Sequence, residues 1–447
     1  MVPELIGGVQ SNMKEQNKEL ELSAYCSREI LCSCGRRHFC AVREIIVCAG
    51  ALERLRTLTA EFKRIFLVAD TNTWAVCGEK VASILGESIR GMLIFHREGT
   101  LVPDERAVDE LERALNVETD LILGIGSGVI NDISKYVSWK TGREYGIIAT
   151  APSMDGYASS GAAMIVDGMK VTYTTHTPRF ILADVDIVRE APLDMIRAGY
   201  GDIIGKYSSL NDWKLSHLMM GEFLCQNIYD LVMSVTDHVR DLAERIIERD
   251  PDAIEYLTKA LILIGITLSL VGSTRPGSGS EHHLSHFFEI TSLLCGEPHF
   301  CHGIDVGYST IVTAGMREEI ACLKTPEFQL EDVEKRNHAW NRIYGKIADE
   351  VSALQKEAGA YERDLYAEYR EKWASIQTIL AECPSAEECR VMLERAGYDP
   401  KEFYNMYGTS KIRDAMFYGK DLKNRYSVLW LYYDLFSGKK PNLTEEG

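Results

Sequence analysis

Leu121-Ile122-Leu123-Gly124-Ile125-Gly126-Ser127-Gly128-Val129-Ile130-Asn131-Asp132 is the stretch whose reading decides the fold. An apolar run of strand type enters a glycine-rich turn, and an amphipathic helix begins near Val129. Glycines at the end of a strand let backbone N–H groups face a bound anion, and the start of the following helix adds partial positive charge. The turn reads as a diphosphate cradle, although a tight turn without a ligand also selects glycine. It follows roughly the fourth strand rather than the first, unlike the usual dinucleotide fingerprint.

Outward from this unit, Ile45 to Cys48, Ile65 to Ala69, Met92 to Phe95 and Gly146 to Thr150 are further short apolar runs. Between them, stretches such as Glu53 to Phe62 and Glu105 to Leu115 carry helical apolar spacing. Such alternation predicts a Rossmann-like, doubly wound parallel α/β sheet, with the runs around Val171 to Thr174 and Phe180 to Asp184 extending or edging it. After Asp184 the segments Leu193 to Ala198, Ile203 to Leu218, Leu224 to Glu248 and Pro251 to Val271 have helix periodicity and few strand signals, so this half reads as all-helical. The expected organisation is an arm over residues 1–43, a cofactor-binding α/β domain over 44–190 and a helical metal- and substrate-binding domain over 191–447. The active site is expected in the cleft between the two domains.

A chain of 447 residues with 46% hydrophobic and 26% charged residues is long enough and apolar enough to bury its own core. Its 66 acidic against 49 basic residues give a net charge of −17, which repels phosphate backbones and anionic membrane faces. The apolar stretch Ala260 to Gly272 is shorter than the roughly 20 residues of a spanning helix, and no basic region followed by an apolar run opens the chain. No nucleic-acid partner, no membrane insertion and a cytoplasmic location are therefore expected. Twelve irregularly spaced cysteines read as reduced thiols. Cys26, Cys32, Cys34, His38 and Cys40 lack the paired C-x2-C knuckles of structural zinc and are read as free thiols in a packed arm. The sequon Asn442-Leu443-Thr444 is read as chance.

Two further clusters carry chemistry. Thr150-Ala151-Pro152-Ser153-Met154-Asp155-Gly156-Tyr157-Ala158-Ser159 gathers hydroxyls and a carboxylate in one loop after a strand, where ligand crevices form in such sheets. A capped turn bending at Asp155-Gly156 is the simpler alternative. Five of the eleven histidines fall between His282 and His302. On a helix, His282, His286 and Glu289 share a face able to bind a divalent cation, with His283 pointing elsewhere. A catalytic site needs a third ligand, for which His302 and Asp202 are the candidates.

Gly126 to Asp132, Thr150 to Ser159, Gly199 to Trp213 (GYGDIIGKYSSLNDW), His282 to Glu289 and Arg425 to Leu429 together resemble the sn-glycerol-1-phosphate dehydrogenases. That family lies within the iron-containing alcohol dehydrogenase and dehydroquinate synthase superfamily, and the bacterial, arabinose-operon-associated branch is the most similar. The resemblance implies that Asp202, His282 and His302 ligate one divalent metal, zinc by default for a carboxylate and two imidazoles, with nickel and iron in competition. It implies contacts from Gly126, Gly128, Val129, Ile130, Asn131, Asp132, Thr150, Ser153 and Ser159 to NAD or NADP, and from His286 and Asp155 to substrate. Lys206 stands where related alcohol dehydrogenases often carry histidine, and is read as holding a phosphate as a point charge.

The activity implied is reversible hydride transfer between the nicotinamide and C2 of dihydroxyacetone phosphate, a small phosphorylated triose, giving sn-glycerol 1-phosphate. His286 or an ordered water would supply the proton. A homodimer is expected. The alternatives are a glycerol or small-polyol dehydrogenase of the same superfamily, a dehydroquinate-synthase-like lyase, and a catalytically silent binding protein.

Overall fold

The structure, a computed structural model, describes residues 20–97, 99–328 and 332–437; the Asn442 sequon and the first residues of the expected arm lie outside them. The chain divides into two compact units. The first comprises residues up to Val166, Val171–Gly199 and Cys225–Thr274; the second comprises Asp167–Lys170, Tyr200–Leu224 and the chain from Arg275 onward.

In chain order the strands are β1 (Glu29–Leu31), β2 (Arg37–Phe39), β3 (Glu44–Cys48), β4 (Ile65–Asp70), β5 (Ile89–Phe95), β6 (Leu121–Gly126), β7 (Glu144–Ala149), β8 (Gly161–Val166), β9 (Met169–Thr174) and β10 (Phe180–Asp184). Six of them form one sheet in the order β3-β10-β7-β6-β4-β5, and every adjacent pair is parallel. Strands covered on both faces are apolar along their whole length, which is why β4, β6 and β10 read as continuous runs rather than as alternations. Leu52, Leu55, Leu67, Leu123 and Ile148 pack in one core layer. Val68, Phe95, Ile122, Ile130 and Ile133 pack in another. The expected doubly wound α/β fold is the observed one.

Three sequence expectations change. Phe180–Asp184 does not edge the sheet: it lies inside, hydrogen-bonded to β3 and β7, and all five of its residues are buried. Val171–Thr174 belongs to a separate two-stranded sheet with β8, joined through Asp167 and Gly168, both at positive φ. The helix expected from Glu53 to Phe62 is a 3-10 turn, Ala51–Arg54, followed by a single helical turn, Leu55–Leu58. There the Thr59 hydroxyl donates to the Leu55 carbonyl and the chain turns away.

The helix Pro251–Val271 starts ahead of the apolar stretch seen in the sequence, with Asp250 capping its N-terminus, Pro251 in the first turn and Gly272 closing it in the left-handed conformation. Its 21 residues are long and apolar enough to cross a membrane, but 67% of the most apolar window is buried inside the protein, as in a core helix. The second unit is built mainly of helices, among them Lys206–Met220, Ser280–Cys295, His302–Ala321, Pro400–Tyr418 and Val428–Phe436. The expectation of a helical second half is met.

Candidate active site

The second unit brings Asp202, His282 and His302 together, with one donor atom of each within 4.8 Å of the others. Asp202 sits near the end of the helix Leu193–Ile204, His282 in the first turn of Ser280–Cys295, and His302 at the first position of His302–Ala321. Close backbone approach makes this possible. A Cβ on Gly201 would stand 2.5 Å from the Gly303 carbonyl oxygen, and one on Gly279 would stand 2.7 Å from Asp212 Oδ2. Only glycine allows these elements to cross so tightly.

Hydrogen bonds orient the imidazoles. His282 Nδ1 lies 2.7 Å from Glu281 Oε1, and the same oxygen accepts from the Gly279 N–H at 2.8 Å. With the Nδ1 proton given to Glu281, Nε2 keeps its lone pair and lies 3.5 Å from Asp202 Oδ1. Ser285 Oγ donates to the His302 carbonyl and can accept from His302 Nδ1, each at 3.2 Å. Burial is the first cause that holds His282, His286 and His302 well below the usual histidine range. Cations follow: Lys206 and Lys423 beside His282, Lys423 and Lys170 beside His286, and Lys170 beside His302. Neutral imidazoles with oriented lone pairs beside a buried carboxylate are a donor set that fits a divalent cation.

The ring of His286 lies 5.3 Å from that of His302 and 6.2 Å from that of His282, so it borders the cluster. His283 is buried outside these ring contacts. Glu289 pairs with Lys170 at 2.5 Å and is not one of the three clustered ligands. Lys206 is fully buried, and its ammonium donates to Asp202 Oδ1 at 2.7 Å and to the Gly277 carbonyl at 2.8 Å. It therefore sits directly against the Asp202 carboxylate as its countercharge.

Asp212 and Arg317 support the site, and the sequence reading did not single them out. Asp212 accepts from the Ser280 N–H at 2.6 Å and the Val428 N–H at 2.9 Å, and pairs with the buried Arg317 at 2.9 Å. Asp212 stood inside the GYGDIIGKYSSLNDW motif, but nothing in its spacing told a helix anchor from a solvated acid. Lys423 was also missed. Burial, then Arg425 and Lys170, push its ammonium down to about 7, and it forms no ion pair among the described residues.

In the first unit, β6 delivers the chain to the helix Gly128–Thr141. The first-turn amides of a helix have no partner within it, and the Ser127 side chain caps none of them. A Cβ on Gly126 would fall 2.6 Å from Ile130 Cβ, so this glycine is needed for packing. One on Gly128 would meet nothing nearer than Met154 Cγ at 3.4 Å. The flexible Met154 side chain is the neighbour on that side, and the uncapped helix start fits a diphosphate.

The remaining residues expected at the cofactor divide. The Ile130 side chain is in the core. Asn131 accepts from Tyr145 Oη and donates to Asp132, and Asp132 accepts from the Ala163 N–H. These three side chains hold the helix to the sheet, whereas Val129 is half-buried. Thr150 and Ser153 are nearly buried in the loop after β7, and Ser159 Oγ donates to the Gly156 and Gly161 carbonyls. Asp155 lies in the same loop, close enough to favour the charged form of Lys135. Lys135, unremarked in the sequence, is buried and donates to the Gly156 and Gly161 carbonyls at 2.8 and 3.0 Å, pinning the loop.

The fold together with the similar proteins makes this chain an NAD(P)-linked oxidoreductase of the iron-containing alcohol dehydrogenase class. Residues 46–192 match the iron-containing alcohol dehydrogenase family. An archaeal halo-thermophilic alcohol dehydrogenase from a Red Sea brine pool has the same fold, with a TM-score of 0.57 at 15% identity over 89% of this chain and 98% of that one. The glycerol-1-phosphate dehydrogenase (NAD(P)+) of Halalkalibacterium halodurans is 35% identical over 307 residues, 67% of this chain and 77% of that protein. That of Bacillus licheniformis is 30% identical over 382 residues, 80% and 94% of the two chains. The chain belongs to the glycerol-1-phosphate dehydrogenase family.

Proposed function

We propose that this enzyme interconverts dihydroxyacetone phosphate and sn-glycerol 1-phosphate in the cytoplasm, using NAD or NADP and a divalent metal held by Asp202, His282 and His302. The observation that carries the substrate is electrostatic. In a chain of net charge −17, Lys170, Lys206, Lys423 and Arg425 all bear on the buried histidine cluster. Lys206 and Lys170 are balanced by Asp202 and Glu289, and the further cations Lys423 and Arg425 suit an anionic substrate better than a neutral polyol.

When bound, the metal would polarise the substrate carbonyl, with zinc the default and nickel or iron the competitors. Around it, Lys206 balances the charge of Asp202, and Glu281 and Ser285 fix the ligand imidazoles. His286, at the border of the cluster, relays the proton that hydride transfer requires. The phosphate goes to Lys423, which forms no ion pair among the described residues, with Arg425 nearby. This reading moves the phosphate away from Lys206, whose ammonium donates to Asp202. In the other unit the N–H groups at Gly128 and Val129 cradle the diphosphate, and Thr150, Ser153 and Asp155 line the loop beside it.

Two substitutions separate the roles. Lys423→Met keeps most of the stem and removes the charge, so kcat/KM for dihydroxyacetone phosphate should fall about 10-fold to 100-fold, roughly 1.4 to 3 kcal/mol. Unphosphorylated glycerone should be affected little. Lys206→Met should instead affect both substrates alike, because its ammonium acts through Asp202 rather than on the phosphate. Steady-state oxidation of NADH and NADPH with the two ketones reads both. A wild type that prefers glycerone or glycerol would move the assignment to a polyol dehydrogenase.

The cofactor site has its own test. Gly128→Val presses only on the flexible Met154 side chain, so the fold should survive while NADH affinity drops by about 10-fold or more, the cost of keeping the diphosphate off the backbone. Unchanged affinity by fluorescence titration would place the cofactor elsewhere.

A further inference from the structure

The first unit contains a second cluster of metal-binding side chains that takes no part in the proposed reaction. Its first three members come from the β1–β2 hairpin. Cys32 and Cys34 occupy the turn, where Gly35 at φ +84° reverses the chain, and His38 lies on β2. The turn is closed by backbone hydrogen bonds from the Cys32 N–H to Arg36 and from the Gly35 N–H to Cys32. The fourth member, Cys225, is 187 residues beyond His38 in sequence and stands immediately before the helix Gln226–Asp241.

One donor atom from each of these four residues lies within 4.8 Å of the others. Cys34 Sγ is 3.3 Å from His38 Nε2, Cys225 Sγ is 3.6 Å from the same nitrogen, and Cys32 Sγ is 3.6 Å from Cys225 Sγ. In a tetrahedral site, metal–sulfur bonds of about 2.3 Å and a metal–nitrogen bond of about 2.0 Å set neighbouring donors about 3.5 to 3.8 Å apart. The edges of 3.3, 3.6 and 3.6 Å lie at or just short of that range, and every donor pair lies within 4.8 Å.

The surroundings are those of a ligand set. His38 Nδ1 lies 2.7 Å from the carbonyl of Leu270, in the last turn of the helix Pro251–Val271, where carbonyls lack a partner within the helix. Donation there fixes the tautomer and leaves the Nε2 lone pair facing the three sulfurs. Asn227 Nδ2 donates to Cys32 Sγ at 3.0 Å. Cys225 is fully buried and His38 nearly so. Cys26 and Cys40, which the sequence grouped with these residues, stand outside: the Cys26 thiol donates to the Leu22 carbonyl.

We propose that Cys32, Cys34, His38 and Cys225 form a structural zinc site that fastens the β1–β2 hairpin to the start of the helix Gln226–Asp241. Three thiolates and one imidazole in a closed tetrahedron suit zinc, and four protein ligands leave no position for a substrate. Binding releases the three thiol protons to solvent, and no oxidant or reductant is involved. The site is separate from the Asp202 cluster and does not depend on the reaction proposed for it.

The test uses the full-length protein expressed with zinc and, separately, depleted and reloaded with cobalt. Elemental analysis should find one ion that survives Asp202→Ala and is lost in Cys34→Ser and in His38→Ala. In the cobalt-loaded protein the Asp202→Ala variant should retain a near-ultraviolet thiolate-to-cobalt charge-transfer band, which the Asp202 cluster cannot produce because it has no sulfur. Should Cys34→Ser fail to fold, the wild-type cobalt spectrum alone still decides. The proposal is overturned if that spectrum lacks the thiolate band, if Asp202→Ala carries no metal, or if non-reducing mass spectrometry finds Cys32 and Cys225 joined in a disulfide in freshly isolated protein.

Discussion

Alanine at Asp202, His282 or His302 is expected to lower kcat by at least about 10²-fold to 10³-fold, the size of losing one preorganised electrostatic contact to a developing charge. Each substitution should also remove one metal ion per chain, because two remaining ligands hold a cation poorly. The loss should differ in origin between the three. His282→Ala leaves Glu281 without its imidazole partner at 2.7 Å, whereas Asp202→Ala leaves the Lys206 ammonium buried without its carboxylate. Asp202→Ala should therefore lose thermal stability as well as metal, and Asp202→Asn should recover part of that stability without recovering activity. Metal analysis beside NADH oxidation and a melting curve separates these effects. Full metal content and activity in any alanine variant would strike that residue from the ligand set.

A second large effect is expected away from the reacting atoms. Asp212→Ala removes the buried partner of Arg317 and the acceptor for the Ser280 and Val428 N–H groups at once. Stranding one half of a buried ion pair costs about 3–5 kcal/mol. For a unit of this size that corresponds to a fall in Tm of roughly 6 to 20 °C. Replacing both partners with apolar residues, Asp212→Leu with Arg317→Leu, should restore part of the loss, since no lone charge remains. The double variant should still bind metal weakly, because Ser280 leads directly into His282. A thermal shift below about 2 °C for Asp212→Ala would mean that Arg317 finds adequate partners in Asn211, Ser208 and Thr313 alone.

The parts of the molecule that were legible in sequence are those set by local periodicity. β4 and β6 are buried on both faces, so their apolar runs are unbroken, and the glycine turn follows directly from β6. The place of β10 was not legible, because the neighbours of a parallel strand are set by crossovers and not by its own residues. The histidine cluster could be seen because His282 and His286 share a helix face and His302 is close in sequence. Lys135, Lys423 and Arg317 could not: a lysine or arginine within a helical pattern looks like a solvated residue until burial shows otherwise. Cys32, Cys34 and His38 were read with Cys26 and Cys40 as free thiols for a simple reason, since the residue that completes their cluster, Cys225, comes from a distant part of the chain.

The strand order also fixes a sequence of events during synthesis. β3 hydrogen-bonds to β10 and to no other strand of the sheet, and their first residues, Glu44 and Phe180, are 180 − 44 = 136 positions apart. At 5–20 residues per second, a ribosome needs on the order of ten seconds to make what lies between them. Throughout that interval Ile45, Ile46 and Val47 have no partner strand, while β4, β5 and β6 can already assemble. The nascent chain thus carries an unpaired apolar edge for longer than a small domain takes to fold, and the sheet closes only when β10 slides in between β3 and β7.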